Sequence, residues 1–342
     1  MANNDWQEYQ FIQGAVFNNE TITSFGNTQK ELLYTQNENS ICDLSHLGLL
    51  EISGEEAISF LQGQVTNDVK LLNGLNAHYT GYCSAKGRLL ALFFAFSHNQ
   101  KLHLQLNQKL VEPIAKRLKM YVMRAKVNIN DVSDSLVRIG LSGSSVADLL
   151  SPFFPDVPLQ AYSTSNSAHG TLVRLPGNLP RFEIISNTAS AKEIWQVLKI
   201  NCKPVGKPCW EWLEIQAGIP DIYLQTQEAF VPQMVNLDLL EAINFKKGCY
   251  TGQEIVARTH YLGKVKRRTY LAHLNTSTPP QAGNDVLNDN GEIVGKVVRS
   301  SPAPAGGYDA LAEIRQESAE AEALSINTVK LEIQQPPYPL TH

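Results

Sequence analysis

Eight consecutive apolar residues, Leu89-Leu90-Ala91-Leu92-Phe93-Phe94-Ala95-Phe96, constrain this chain more than any other feature. A run this long has no polar face. It is far short of the roughly 20 residues a membrane span requires. It therefore predicts a strand covered on both sides, and hence a sheet packed between layers. A second strand-like run, 75–85, precedes it. Lys86-Gly87-Arg88 joins the two, which reads as a hairpin.

With 342 residues, of which 43% are hydrophobic and 18% charged, the chain has material for two to three domains. That composition excludes disorder, collagen and coiled coil as global descriptions. Five cysteines at irregular spacing, with no C-x-x-C pair, argue against a disulfide framework and a structural zinc site. The N-terminus has no secretory pattern, and no arginine precedes Arg88. The expected compartment is a reducing cytoplasm.

The expected architecture is α+β. Residues 1–40, polar and rich in Asn, Gln and Thr, read as a loose lead-in. Residues 41–130 form a first α+β unit. A buried strand from Leu47 is followed by a helix opened by a Ser53/Glu56 capping box and stopped by Gly63. The hairpin, an alternating strand at Leu102, Leu104 and Leu106, and a basic helix with Pro113 in its first turn complete the unit. Residues 131–205 repeat this cycle of strands and helices, which suggests two ferredoxin-like halves. Lys203–Pro208 reads as a linker into a return segment, 206–261, with a helix over 209–217. Residues 262–342 read as a small β-barrel, with Asn290-Gly291 as its clearest hairpin turn.

The segment 245–270 departs from the rest. It holds seven cations, Lys246, Lys247, Arg258, Lys264, Lys266, Arg267 and Arg268, against one acid, Glu254. The net charge of the whole chain is −4, so the remainder carries −10. A cationic cluster on an acidic protein suits a carboxylate or phosphate ligand, or else a solvated strand edge that discourages pairing. Within it lies Lys247-Gly248-Cys249-Tyr250-Thr251-Gly252-Gln253-Glu254. The glycines permit close backbone approach, and the lysines favour a thiolate on Cys249. Such a thiol can act as nucleophile, redox sensor or metal ligand; the alternative is a Cys packed as a small apolar residue. Trp210 and Trp212 point to different faces of one helix, so one can stack on a flat heterocycle while the other packs in the core. A further basic run, Lys116, Arg117, Lys119, Arg124 and Lys126, reads as a solvated helix face. The eight histidines have no metal-ligand spacing.

The octapeptide, continued by Ile255-Val256-Ala257-Arg258, resembles the signature of the YgfZ family of folate-binding proteins. Residues 60–69, Ala85-Lys86-Gly87-Arg88, Ala217-Gly218-Ile219-Pro220 and residues 230–237 match in order and spacing. The resemblance implies a fold similar to the glycine-cleavage aminomethyltransferase, with two α+β domains and a barrel around a folate site. It implies tetrahydrofolate as cofactor and a role in maintaining iron–sulfur enzymes, including those that thiolate tRNA. It assigns Cys249 and Lys247 as the motif thiol and lysine. Trp210, Tyr250 and Arg258 are expected at the folate, with Leu47 where the family carries a second tryptophan. The aminomethyltransferases carry a catalytic Asp in the strand that aligns with 89–92, which here has no carboxylate. That argues against methylene transfer. A one-carbon transferase and a direct tRNA-binding module are the alternatives. The net charge and the absence of an RNA-binding motif speak against the second.

Overall fold

The computed structural model describes residues 2–261, 263–321 and 323–340. The first forty residues are not a loose lead-in. They form α1 (Ala2–Ile12), a hairpin of β1 (Val16–Asn18) and β2 (Thr21–Ser24), and α2 (Thr28–Asn37), followed by β3 (Ser40–Asp43). Trp6 holds α1 in place. It is fully buried, its Nε1 donates to Asp43 Oδ1 at 2.7 Å, and it meets Trp195 edge-on at 5.7 Å. The buried Glu31 carboxylate of α2 accepts from the backbone N–H of Phe25 and of Gly206. Polar composition hid this segment because its order rests on a few long-range anchors and not on an apolar stripe.

Next comes a unit of β4 (Leu47–Ser53), α3 (Ala57–Gln62), β5 (His78–Cys83), β6 (Leu89–His98), β7 (Lys101–Asn107), α4 (Val111–Val122) and β8 (Asn128–Asp131). Its sheet runs β5-β6-β7-β4-β8. The apolar run sits in β6, whose residues 89–96 are all buried, and β5 and β6 pair antiparallel as the hairpin requires. The expected capping box is absent. Ser53 ends β4, and the Glu56 carboxylate instead accepts from the backbone N–H of Lys126 at 2.8 Å.

A second unit follows: β9 (Val137–Ser142), α5 (Val146–Leu150), β10 (Thr164–Ser167), β11 (Gly170–Leu175), β12 (Arg181–Ser186), α6 (Thr188–Leu198) and β13 (Lys203–Val205). Its sheet runs β10-β11-β12-β9-β3-β13. Both units therefore order their own strands second, third, fourth, first, fifth; in the second unit β3 is inserted before the last. The echo of pattern in the sequence is a repeated topology. The expected linker at 203–208 is corrected: Lys203–Val205 is an edge strand, parallel to β3, and an edge tolerates Pro204.

The chain then forms α7 (Lys207–Gln216), an irregular stretch, and α8 (Gln253–Tyr261). A closed barrel follows, made of β14 (Arg267–Leu274), β15 (Asp285–Leu287), β16 (Ile293–Pro302), β17 (Tyr308–Arg315), β18 (Leu324–Ile326) and β19 (Val329–Gln334), with α9 (Gln316–Ala321) between β17 and β18. Leu262, where the barrel was expected to begin, lies outside the described residues. Helix α7 joins the layers. Trp212 Nε1 donates to Asp309 Oδ2 in the barrel at 2.8 Å, while the ring of Trp210 lies on β9, where Gly140 leaves room for it.

Candidate functional site

Three of the four matching stretches, 60–69, 85–88 and 230–237, meet the octapeptide and its following helix at one place. Lys247 reaches into the loop after α3, and its Nζ donates to the carbonyl oxygens of Gln62 (2.8 Å), Val65 (2.6 Å) and Asn67 (2.8 Å). Gly252, at φ +82°, lies against the β5–β6 turn; a Cβ there would stand 2.4 Å from the carbonyl oxygen of Ser84. Gly87 of that turn, at φ +67°, faces Ile255, whose Cβ would stand 2.7 Å from a Cβ placed there. Arg88 donates to the carbonyl oxygens of Glu228 and Ala229, and Gln233 Nε2 donates to that of Val256 at 2.7 Å. The matching stretches at 60–69 and 85–88 thus hold the octapeptide, and 230–237 holds the helix that continues it.

What this knot presents is Cys249. It is exposed, while the other four cysteines are buried. Gly248 before it has open space where a Cβ would go. Thr251, Gln253 and Glu254 lead into α8, with Glu254 exposed. Lys247 is a positioning residue here. All three of its ammonium protons go to backbone carbonyls, so none is left for the thiol. The cationic cluster also shrinks. Besides Lys247, Arg268 is paired with Asp238 at 2.6 Å, and Arg267 with Glu313.

A separate cavity of about 60 Å³ lies between the two sheets, α7 and the barrel. Leu47, Leu92, Phe94, Leu175 and Trp210 give it apolar walls, and Ile219 and Pro220 close one side. A second cavity of about 260 Å³ shares Leu47, Asn107, Glu211 and Asp221 with it and is also lined by Glu20, Thr21, His46, Lys109 and Lys207. Of the residues expected at the folate, Trp210 and Leu47 line this cavity. Tyr250 and Arg258 do not: Tyr250 is buried beneath Lys247, 5.2 Å from ring centroid to ammonium, and Arg258 is exposed on α8.

A family model described as the GCVT N-terminal domain matches residues 6–247. The tRNA-modifying protein YgfZ of Colwellia psychrerythraea is 34% identical over 255 residues, covering 75% of this chain and 78% of that protein. The protein of the same name from Yersinia pestis is 30% identical over 262 residues, covering 76% and 79%. The chain belongs to the YgfZ family. The glycine cleavage system aminomethyltransferase T of Bartonella henselae superposes with a TM-score of 0.79 at 18% identity, over 97% of this chain and 96% of that one. The chain therefore shares the aminomethyltransferase fold.

The cavity is acidic on one side, which no motif foretold. Glu183 on β12, Glu211 and Glu214 on α7, and Asp221 line it, against Arg299 from β16. The Arg299 guanidinium hydrogen-bonds Glu211 and donates to the carbonyl oxygen of Ile219 at 3.1 Å. Burial works to raise the Glu211 carboxyl, but Arg299, Lys207 and His46 outweigh it and hold it at about 2. Glu214 accepts from Arg181 at 2.6 Å, and the Arg181 guanidinium lies 5.6 Å over the Trp210 ring. Among the described residues no cation lies within ion-pair distance of Glu183, although Arg138 and Arg181 act on it from further away. Burial pushes its carboxyl up to about 7, against the hydrogen bond from Gln105 Nε2 to Oε2 at 3.1 Å. Burial likewise raises Asp221 to about 6. Glu183 Oε1 and Gln105 Oε1 are buried without a partner. Strand β6 contributes only Leu92 and Phe94, so the cavity has no carboxylate from that strand.

Proposed function

We propose that this chain is a tetrahydrofolate-binding accessory protein that supports the upkeep of iron–sulfur enzymes, tRNA-thiolating ones among them, with Cys249 as its functional thiol. The observation that carries the folate half is the pair of unpartnered buried acceptors, Glu183 Oε1 and Gln105 Oε1, in a cavity whose other wall is apolar and includes Trp210. A buried acceptor left unpaired costs about 1–3 kcal/mol, so its partner is a ligand donor or water. A pterin is flat and carries an amino group and ring N–H on one edge. Those donors match the two acceptors, and its faces match Trp210, Leu47 and Leu92. The residues present fit the group. When bound, tetrahydrofolate would supply one-carbon carriage at N5 of its reduced ring and the neighbouring N10 outside it.

The protein's own residues hold and orient. Gln105 fixes Glu183, and Arg181 fixes Glu214 beside Trp210. The apolar wall from β6 favours binding over aminomethyl transfer, because it offers no carboxylate from that strand to an incoming folate amine. The relatives named tRNA-modifying proteins support the tRNA side of the reading. The exposure of Cys249 on a loop held by residues 60–69 and 85–88 supports the thiol side. In cells lacking this protein, Cys249→Ser and Cys249→Ala are expected to fold but to leave iron–sulfur enzyme activity and tRNA thiolation unrestored. Full rescue by both variants would remove Cys249 from the account.

A further inference from the structure

The surface beside Cys249 carries a group of rings that the folate reading does not use. The Phe245 ring stacks on the His260 imidazole with centroids 3.7 Å apart and planes 12° apart. Tyr261 meets both edge-on, at 6.1 and 4.7 Å. These residues bracket the motif, one before the octapeptide and two at the end of α8. Phe245 is half-buried and packs against the core, while His260 is exposed and Tyr261 is 65% exposed.

Cations flank the rings along the chain. Lys246, Arg258, Lys264 and Lys266 are exposed, and among the described residues none has a carboxylate within ion-pair distance. Lys264, Lys266 and Arg267 share a cleft of about 500 Å³ with Arg315 and Glu317, where α8 hands over to the barrel. Arg315 is exposed as well, and the exposed acids on α8 and α9 are Glu254, Glu317 and Glu320, so five cations against three acids leave the face positive. Burial or ion pairing has already removed Lys247, Arg267 and Arg268 from the count, so the remaining charges are those free to meet a ligand.

We propose that this face binds single-stranded RNA. An unpaired base stacks on the exposed aromatic group, and Lys246, Arg258, Lys264, Lys266 and Arg315 neutralise the flanking phosphates. Flat rings with free edges beside unpaired, flexible cations are what sequence-tolerant strand binding requires. An acidic polypeptide would satisfy the charges and leave the stacked rings without a role. The net charge of −4, which spoke against nucleic acid, is an average over a chain whose charges are segregated. This site is independent of the folate cavity.

The test is fluorescence anisotropy of a labelled 12-nucleotide oligouridylate with the full chain, at 50 and 200 mM KCl. The wild type should bind at 50 mM and weaken by about 10- to 100-fold at 200 mM, as three to five phosphate contacts imply. Lys264→Gln/Lys266→Gln should flatten that salt dependence. Tyr261→Ala should weaken binding by about tenfold and leave the salt dependence unchanged. Circular dichroism confirms that each variant is folded. No wild-type binding at 50 mM, or folded variants that bind like the wild type, would overturn the proposal. So would loss of binding to polyglutamate in the same variants with no RNA binding, which would make the face a protein-docking surface.

Discussion

The backbone of Gly252 faces Ser84 so closely that a β-carbon on Gly252 would lie 2.4 Å from the Ser84 carbonyl oxygen. The motif loop and the β5–β6 turn thus touch backbone to backbone. Gly252→Ala adds this clash to an unfavourable φ of +82°, and a cost of about 2–4 kcal/mol is expected in urea unfolding. Gly248→Ala meets nothing within 4 Å and should change stability by less than about 0.5 kcal/mol. Similar losses in the two variants would contradict this packing.

Lys247→Met removes three charge-assisted hydrogen bonds and strands the carbonyls of Gln62, Val65 and Asn67. A loss of about 3 kcal/mol is expected. Lys247→Arg should recover little of it, because a planar fork cannot reproduce three donors from one nitrogen. An unchanged denaturation midpoint in Lys247→Met would show that the lysine does not brace the loop.

Glu183 gives stability a pH dependence of definite sign. Its carboxyl is pushed up by burial to about 7, above the ordinary value near 4.3. Between about pH 4.5 and 7 the unfolded chain has released this proton and the folded chain has not. Its contribution is therefore present below pH 4.5 and is lost as pH rises through 7. Glu183→Gln should flatten stability across that window and raise it at pH 8 by an amount on the order of 1–3 kcal/mol. Asp221, raised to about 6, keeps a smaller slope of the same sign in the variant. Melting curves from pH 4.5 to 8 read both.

The end of the chain straps the cavity from behind. Tyr338 Oη donates to the Gly218 carbonyl oxygen at 2.8 Å and accepts from Asn236 Nδ2 at 3.3 Å. Gly218 directly precedes the Ile219 and Pro220 of the cavity wall. Tyr338→Phe should cost about 1–2 kcal/mol in stability and weaken tetrahydrofolate binding severalfold. A variant with wild-type affinity would disconnect the strap from the site.

The elements with strong local signals were readable. The 75–97 hairpin, the Asn290-Gly291 turn and the helix around Trp210 each announce themselves within a dozen residues. What escaped depends on long-range partners. Helix α1 is fixed by Trp6 on Asp43 and Trp195, and Lys203–Val205 becomes a strand only because β3 lies beside it. The cavity acids at 183, 211, 214 and 221 share no motif, and three come from the return segment while one comes from β12. Lys247 was read by its spacing to Cys249, but its side chain turns the other way, into the 62–67 loop. Leu47 and Trp210 were legible as cavity residues; Tyr250 and Arg258 belong to the loop and its helix.

Calorimetric titration of the purified protein with tetrahydrofolate, beside Trp210→Ala and Glu183→Gln, tests the central claim most directly. Saturable binding to the wild type, weakened about tenfold or more in each folded variant, is the expected result. Wild-type protein that gives no saturable heat, or variants that bind as tightly as the wild type, would contradict a folate site in this cavity.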